Sequence, residues 1–301
     1  MPPDALAWET DGRDWPNRDA SRFVEAAGLR WLVTEMGEGP ALLLVHGTGA
    51  SAHSWRDVAP RLAARFRVVA FDLPGHGFTD AASPGQRTLP GMAAAVAELL
   101  GALAVDPAIV VGHSAGAAIA VRMALDGTIA PGAIVSLNGA FIPFRGAVGR
   151  FFSPIAKLLA LNPLVPSLFA WRASDPDTVA RILRDTGSTL DARGVALYAR
   201  LAGNPAHVAG ALAMMAAWDL DPLLADLPRL KTPLVLVAAT EDRTVPPGQA
   251  YEVKSRLRQA QLVKLRRLGH LAHEERPDTV AELVEDIARQ YAVLPAPRPE
   301  A

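Results

Sequence analysis

The stretch Ala108-Ile109-Val110-Val111-Gly112-His113-Ser114-Ala115-Gly116-Ala117-Ala118 decides the fold. Residues 108–111 read as a short apolar strand, and 117–125 as an Ala-rich helix. Between them the chain has to turn sharply. Gly112 and Gly116 sit where strand and helix cross, and a side chain at either position would collide there. A serine on such a turn projects its hydroxyl above the carboxyl edge of a parallel sheet, which is where a nucleophile is needed. Gly-x-Ser-x-Gly alone is a modest signal. The strand before it and the helix after it give it weight.

Strand and helix alternate on both sides of this turn. Leu42-Leu43-Leu44-Val45, Val68-Val69-Ala70-Phe71, Ala133-Ile134-Val135-Ser136-Leu137 and Leu234-Val235-Leu236-Val237-Ala238 are short apolar runs typical of strands buried on both faces. A last strand is expected at 261–265. Trp55, Val58, Ala59 and Leu62 follow the i, i+3, i+4, i+7 spacing of an amphipathic helix. Further helices are expected over 92–103, 249–257 and 277–291. The alternation implies an α/β fold: a mostly parallel central sheet with helices on both faces and right-handed crossovers. Ligands of such sheets bind beyond the carboxyl ends of the strands.

The rhythm stops between residues 140 and 221. That stretch reads as helices broken by prolines and rich in large apolar groups, among them Phe141, Phe144, Phe169, Trp171, Met214 and Trp218. The expected organisation is a core domain over 1–139 and 222–294, an inserted helical cap over 140–221, and a flexible Pro-rich tail over 295–301.

Composition narrows the function. The 301 residues suit one large α/β domain carrying an insertion. With 30 basic and 31 acidic side chains the formal charge is −1, which gives no electrostatic case for nucleic acid. There is no cysteine, so disulfides, thiolate catalysis and Cys-based zinc sites are excluded. The polar N-terminal residues do not read as a signal peptide, and no apolar run reads as a transmembrane segment, so a cytoplasmic protein is expected.

A serine hydroxyl needs a base within hydrogen-bond reach and an acid to orient that base. His270, on the loop after the strand at 261–265, is the candidate base. Asp242, on the loop after the strand at 234–238, is the candidate acid. The chain order Ser114, Asp242, His270 is the one this architecture uses. His273 is a rival base and Glu241 a substitute acid. The alternative acid position, at the end of the strand before the cap, holds Asn138, which cannot carry the charge. His270 and His273 suggest no metal site, since no third ligand is evident. The oxyanion donors are expected to be the N–H of Ala115 and the N–H of Thr48, in the loop His46-Gly47-Thr48-Gly49. Candidate substrate contacts are His113, Phe141, Phe144, Trp171 and Trp218; packing of the cap on the core is the competing role for the aromatics.

Taken together, the His-Gly loop, Asp72-Leu73-Pro74-Gly75-His76-Gly77, the Gly-x-Ser-x-Gly turn, Asp242-Arg243-Thr244-Val245-Pro246 and the late Gly269-His270 resemble the α/β-hydrolase superfamily. The match spans about residues 30–288. A closer resemblance is to the α/β hydrolases encoded among bacteriochlorophyll-synthesis genes and called magnesium-chelatase accessory proteins. It is carried by His46-Gly47-Thr48-Gly49-Ala50, His53-Ser54-Trp55-Arg56-Asp57, Ser136-Leu137-Asn138-Gly139-Ala140, Phe169-Ala170-Trp171-Arg172, Leu197-Tyr198-Ala199-Arg200-Leu201 and His207-Val208-Ala209-Gly210-Ala211-Leu212. It implies a role around magnesium insertion into porphyrin.

The expected function is a serine hydrolase without a cofactor, acting on an ester-like bond of a bulky apolar substrate such as a tetrapyrrole. The alternative is a non-catalytic porphyrin-binding or accessory protein, with magnesium chelatase as the partner. Serine in place of aspartate at the turn argues against haloalkane dehalogenase or epoxide hydrolase chemistry.

Overall fold

The computed structural model describes residues 5–143, 162, 164–173 and 175–296. Eight strands form one sheet: β1 (Ser21–Ala26), β2 (Leu29–Met36), β3 (Ala41–Val45), β4 (Arg67–Phe71), β5 (Ile109–His113), β6 (Ala133–Leu137), β7 (Leu234–Ala239) and β8 (Gln261–Leu265). Their spatial order is β1-β2-β4-β3-β5-β6-β7-β8. All neighbours from β4 onward run parallel, whereas β1 and β2 are antiparallel.

The helices among the described residues are α1 (Trp8–Asp11), α2 (Val58–Leu62), α3 (Leu89–Ala102), α4 (Ala115–Leu125), α5 (Leu164–Ala173), α6 (Pro176–Asp185), α7 (Ala192–Ala202), α8 (Pro205–Ala217), α9 (Asp221–Asp226), α10 (Gly248–Arg256), α11 (Ala272–Glu275) and α12 (Pro277–Gln290). Between β6 and β7 the described residues form helices and turns, with no strand. No single described helix is long and apolar enough to cross a membrane.

The period-2 alternation of strand side chains builds two cores. Leu43, Val45, Val69, Phe71, Val110 and Ile134 point to one face, where α3 and α4 cover them. Leu42, Leu44, Val68, Val111, Val135 and Val237 point to the other, under α2 and α12. Every residue of β5, β6 and β7 is buried. The middle of the sheet is therefore buried on both faces, and its polar groups gather where the strands end.

Two features differ from the sequence expectation. The first strand was expected at Leu42, but the β1–β2 hairpin precedes it. Ala27 and Gly28, at φ 54° and 71°, make its tight turn. β1 is half-exposed and carries Arg22 and Glu25, so it lacks the fully apolar look of the inner strands. The helix expected from Trp55 is split into a 3-10 turn, Ala52–Trp55, and α2. The Ser51 hydroxyl accepts the His53 N–H and holds the tighter turn.

Candidate active site

β5 enters α4 through Ser114, whose φ of 51° and ψ of −116° are unfavourable for a residue with a Cβ. Such a conformation costs on the order of 1–3 kcal/mol and persists only where the surroundings enforce it. Here the Ser114 N–H donates to the Leu137 carbonyl at 3.0 Å, and the Ser114 carbonyl accepts from Ala117 at 3.2 Å and Ala140 at 3.1 Å. A Cβ on Gly112 would lie 2.5 Å from the Ala117 backbone, and one on Gly116 would collide with the carbonyls of Val45 and His46. The two glycines thus permit the crossing that lifts Ser114 out of the strand.

The loop after β3 abuts this turn. A Cβ on Gly47 would sit 3.0 Å from the Ser114 Cβ and 2.8 Å from His113 Nδ1. Thr48 and Ser114 are both partly exposed, while their neighbours His46, Gly47, His113 and Ala115 are buried. The Ala115 amide opens α4, where no preceding helical carbonyl is available to it.

Asp242 and His270 meet. The His270 Nδ1–H donates to Asp242 Oδ2 at 2.8 Å, and the two residues are 7% and 5% exposed. Asp242 Oδ1 accepts from the N–H groups of Thr244 and Val245, each at 2.8 Å. Since the carboxylate only accepts, the imidazole proton facing it stands on Nδ1, which in the neutral ring leaves Nε2 as the acceptor. Among the described residues no hydrogen bond joins the Ser114 hydroxyl to His270. In unliganded enzymes such contacts are often long and tighten when substrate binds.

The His270 loop is held from several sides. Asn138, at the end of β6 with φ 48°, donates from Nδ2 to the carbonyls of Gly269 and His270, both at 3.1 Å, and accepts the Ala239 N–H at 3.0 Å. His113 Nε2 donates to the His270 carbonyl at 2.9 Å. Glu275 accepts the Gly269 N–H at 2.8 Å. The turn after α6 reaches in as well. The Thr186 carbonyl accepts from both Arg243 and His270, at 3.1 and 3.4 Å, and Ser188 Oγ accepts the Leu271 N–H at 2.8 Å. Gly187, at φ +88°, fits against Gly269 and the Glu241 carbonyl, where a Cβ would collide. Sequence reasoning passed over Ser188, and it treated Asn138 only as a missing charge.

His273, the rival base, is buried, and neither ring nitrogen has a hydrogen-bond partner. Its ring lies 4.5 Å from Trp55 and 4.5 Å from His113, and burial with the nearby His270 and Arg56 pushes it down to about 3. Glu241 is exposed. Of the proposed substrate contacts, His113 is buried with its ring 4.6 Å from that of His270. Phe141 is 1% exposed within the core. Trp218 is half-buried against the same core. Trp171, on α5, is 69% exposed. Phe144 lies outside the described residues.

A second set of polar groups surrounds the loop after β4. Asp72 is fully buried, accepts the N–H groups of Ala52 and Phe78, and is pushed up to about 6 by its burial. His46 receives the Leu73 N–H on Nε2 at 2.8 Å. His207, on α8, accepts the Gly77 N–H on Nδ1 at 3.0 Å and pairs through Nε2 with the Gly49 carbonyl at 3.1 Å. Burial is the first cause holding His46, His53 and His113 well below the ordinary histidine range, and it lowers His76 to about 4 and His207 to about 3. Among the described residues, no three of His, Asp and Glu converge to hold a metal ion.

Residues 42–283 match the model of the alpha/beta hydrolase family. The chain is 39% identical over 277 residues to the magnesium-chelatase 30 kDa subunit of Rhodobacter capsulatus, covering 91% of this chain and 96% of that one. It is 27% identical to the 2-hydroxy-6-oxo-6-phenylhexa-2,4-dienoate hydrolase of Burkholderia cepacia, over 86% of this chain and 91% of that protein. An alpha/beta hydrolase fold protein from Burkholderia ambifaria superposes with a TM-score of 0.72 at 26% identity, covering 88% of this chain and 99% of that structure. Sheet order, the strained serine turn and these matches agree: the chain belongs to the alpha/beta hydrolase family.

Proposed function

We propose that this chain is a serine hydrolase that cleaves an ester-like bond of a bulky apolar substrate in magnesium–porphyrin metabolism. One observation carries the chemistry: a buried carboxylate–imidazole pair, Asp242 to His270 at 2.8 Å, beside a serine held at φ 51° on the adjoining turn. In the first step the Ser114 oxygen attacks the ester carbonyl carbon and its proton moves to His270 Nε2. Asp242 stabilises the imidazolium that forms and fixes its orientation. The carbonyl oxygen becomes an oxyanion facing the N–H groups of Thr48 and Ala115. The tetrahedral adduct collapses, and the leaving alkoxide takes the proton back from His270. Water then repeats the sequence on the acyl-enzyme and releases the acid.

The substrate assignment is supported by the 39% identical relative, whose name places it with magnesium chelatase. That same name favours a second reading, in which the chain holds a porphyrin for the chelatase and the triad is idle.

Labelling with a fluorophosphonate, followed by mapping of the adduct, separates the two. Hydrolase chemistry requires an adduct on Ser114 that is absent in Ser114→Ala. On a p-nitrophenyl ester, Ser114→Ala and His270→Ala should each lose at least ~10³-fold in kcat, with much smaller changes in KM. An unlabelled Ser114 in folded protein, with protoporphyrin bound equally by wild type and Ser114→Ala, would establish the accessory reading instead.

A further inference from the structure

We infer that His207, on α8, is a positioning residue for the oxyanion loop, and that it fixes the loop through the Gly49 carbonyl. Its effect on rate rests on the hydrolase reading above; its effect on the loop does not.

The placement is over-determined. Asn204 caps the helix by accepting the His207 N–H at 2.9 Å, so the His207 backbone is fixed at the first turn. From there the ring reaches two loops of the sheet's carboxyl edge at once. Nδ1 accepts the Gly77 N–H at 3.0 Å, so the ring proton stands on Nε2, which donates to the Gly49 carbonyl at 3.1 Å. Both ring nitrogens are used, and the side chain is 4% exposed. His207 is therefore neither a base nor an open ligand for substrate. Gly210 and Met214, three and seven residues on, lie on the same face of α8. A Cβ on Gly210 would collide with the Gly75 carbonyl, and Met214 Sδ lies 3.5 Å from the Thr48 hydroxyl.

Gly49 has a φ of +77°, and a Cβ built on it would touch nothing within 4 Å. Its carbonyl is tethered by His207, and Thr48, whose N–H is the proposed oxyanion donor, is the residue just before it. Without the tether this part-buried carbonyl loses its His207 partner and the loop can rotate. Removing an oxyanion donor outright costs about 10²–10³-fold in kcat, so displacing one should cost about 10–100-fold.

Two substitutions separate the contacts. In His207→Gln the amide NH2 can stand where Nε2 stands and hold Gly49, while Gly77 loses its acceptor. In His207→Asn the amide oxygen can stand where Nδ1 stands and hold Gly77, while Gly49 is released. Each variant loses one hydrogen bond, so a purely structural role predicts equal effects. The inference predicts a p-nitrophenyl ester kcat within about 3-fold of wild type for the Gln variant and about 10–100-fold lower for the Asn variant, with little change in KM. It also predicts faster amide hydrogen exchange over residues 46–52 in the Asn variant alone. Equal kcat and equal exchange in the two variants would overturn it. If wild type neither turns over the ester nor takes the fluorophosphonate, the hydrolase reading has failed, and the exchange comparison decides the tether by itself. Should His207→Asn not fold, Gly210→Ala lifts the same helix face and should lower kcat and speed exchange over 46–52; unchanged values would overturn the inference.

Discussion

At the scale of single residues, Ser114 stores a conflict between function and stability. Its backbone suits glycine, yet the proposed chemistry requires an oxygen there. Ser114→Ala keeps the Cβ and so keeps the strain; Ser114→Gly removes both. The glycine variant should be inactive but about 1 kcal/mol more stable than the alanine variant in urea denaturation, since relief of strain outweighs the extra freedom of the unfolded chain. Equal midpoints would mean that the turn is not strained. The polar cluster at this edge was partly legible beforehand. Asp242 and His270 follow apolar strands and stand in the chain order of the architecture, so periodicity alone put both at one sheet edge. Asn138 could be dismissed as an acid from its chemistry. Its three hydrogen bonds to Gly269, His270 and Ala239 depend on pairings more than 100 residues apart, which no local pattern reports.

At the scale of elements, the parallel strands were readable because burial on both faces forces unbroken apolar runs. The β1–β2 hairpin was not, because one strand is half-exposed and ion-paired, with Arg22 on Glu35 at 2.8 Å. The absence of strands between β6 and β7 among the described residues was readable as a gap in the rhythm, but the grip of this stretch on the site was not. The turn after α6 supplies the Ser188 hydroxyl to the Leu271 N–H, adjacent to the candidate base. Ser188→Ala leaves that buried N–H unpaired, which costs about 1–3 kcal/mol. The substitution should lower the unfolding free energy by that amount and reduce kcat, while KM moves little. A stability loss with unchanged kcat would assign the turn to scaffolding alone.

At the scale of the whole molecule, buried ionisable groups make stability depend on pH. Six histidines, His46, His53, His76, His113, His207 and His273, are held below their ordinary range by burial. Each stays neutral in the folded protein and charges on unfolding, so its contribution is present above about pH 6.5 and is lost as pH falls. Two carboxyls act in the opposite sense. Burial raises Asp72 to about 6 and Glu274 to about 7, although Glu274 is paired with Arg56 and accepts the Tyr198 hydroxyl at 2.8 Å. Near pH 5 both are protonated in the folded state and ionised in the unfolded one. Six histidines against two carboxyls leave a net uptake of about four protons on unfolding there. The urea midpoint should therefore fall steeply from pH 6.5 to pH 5, with a slope that counts those protons. A flat profile would show that the histidines titrate normally.

The doubly shared Thr186 carbonyl has an implication for recombining relatives. An insertion that only roofed a site could be exchanged or trimmed at its two junctions. Here one oxygen from the helical stretch between β6 and β7 bridges the Asp242 loop and the His270 loop, so a chimaera carrying a foreign stretch there inherits a misaligned pair unless residues 186–188 travel with the host sheet.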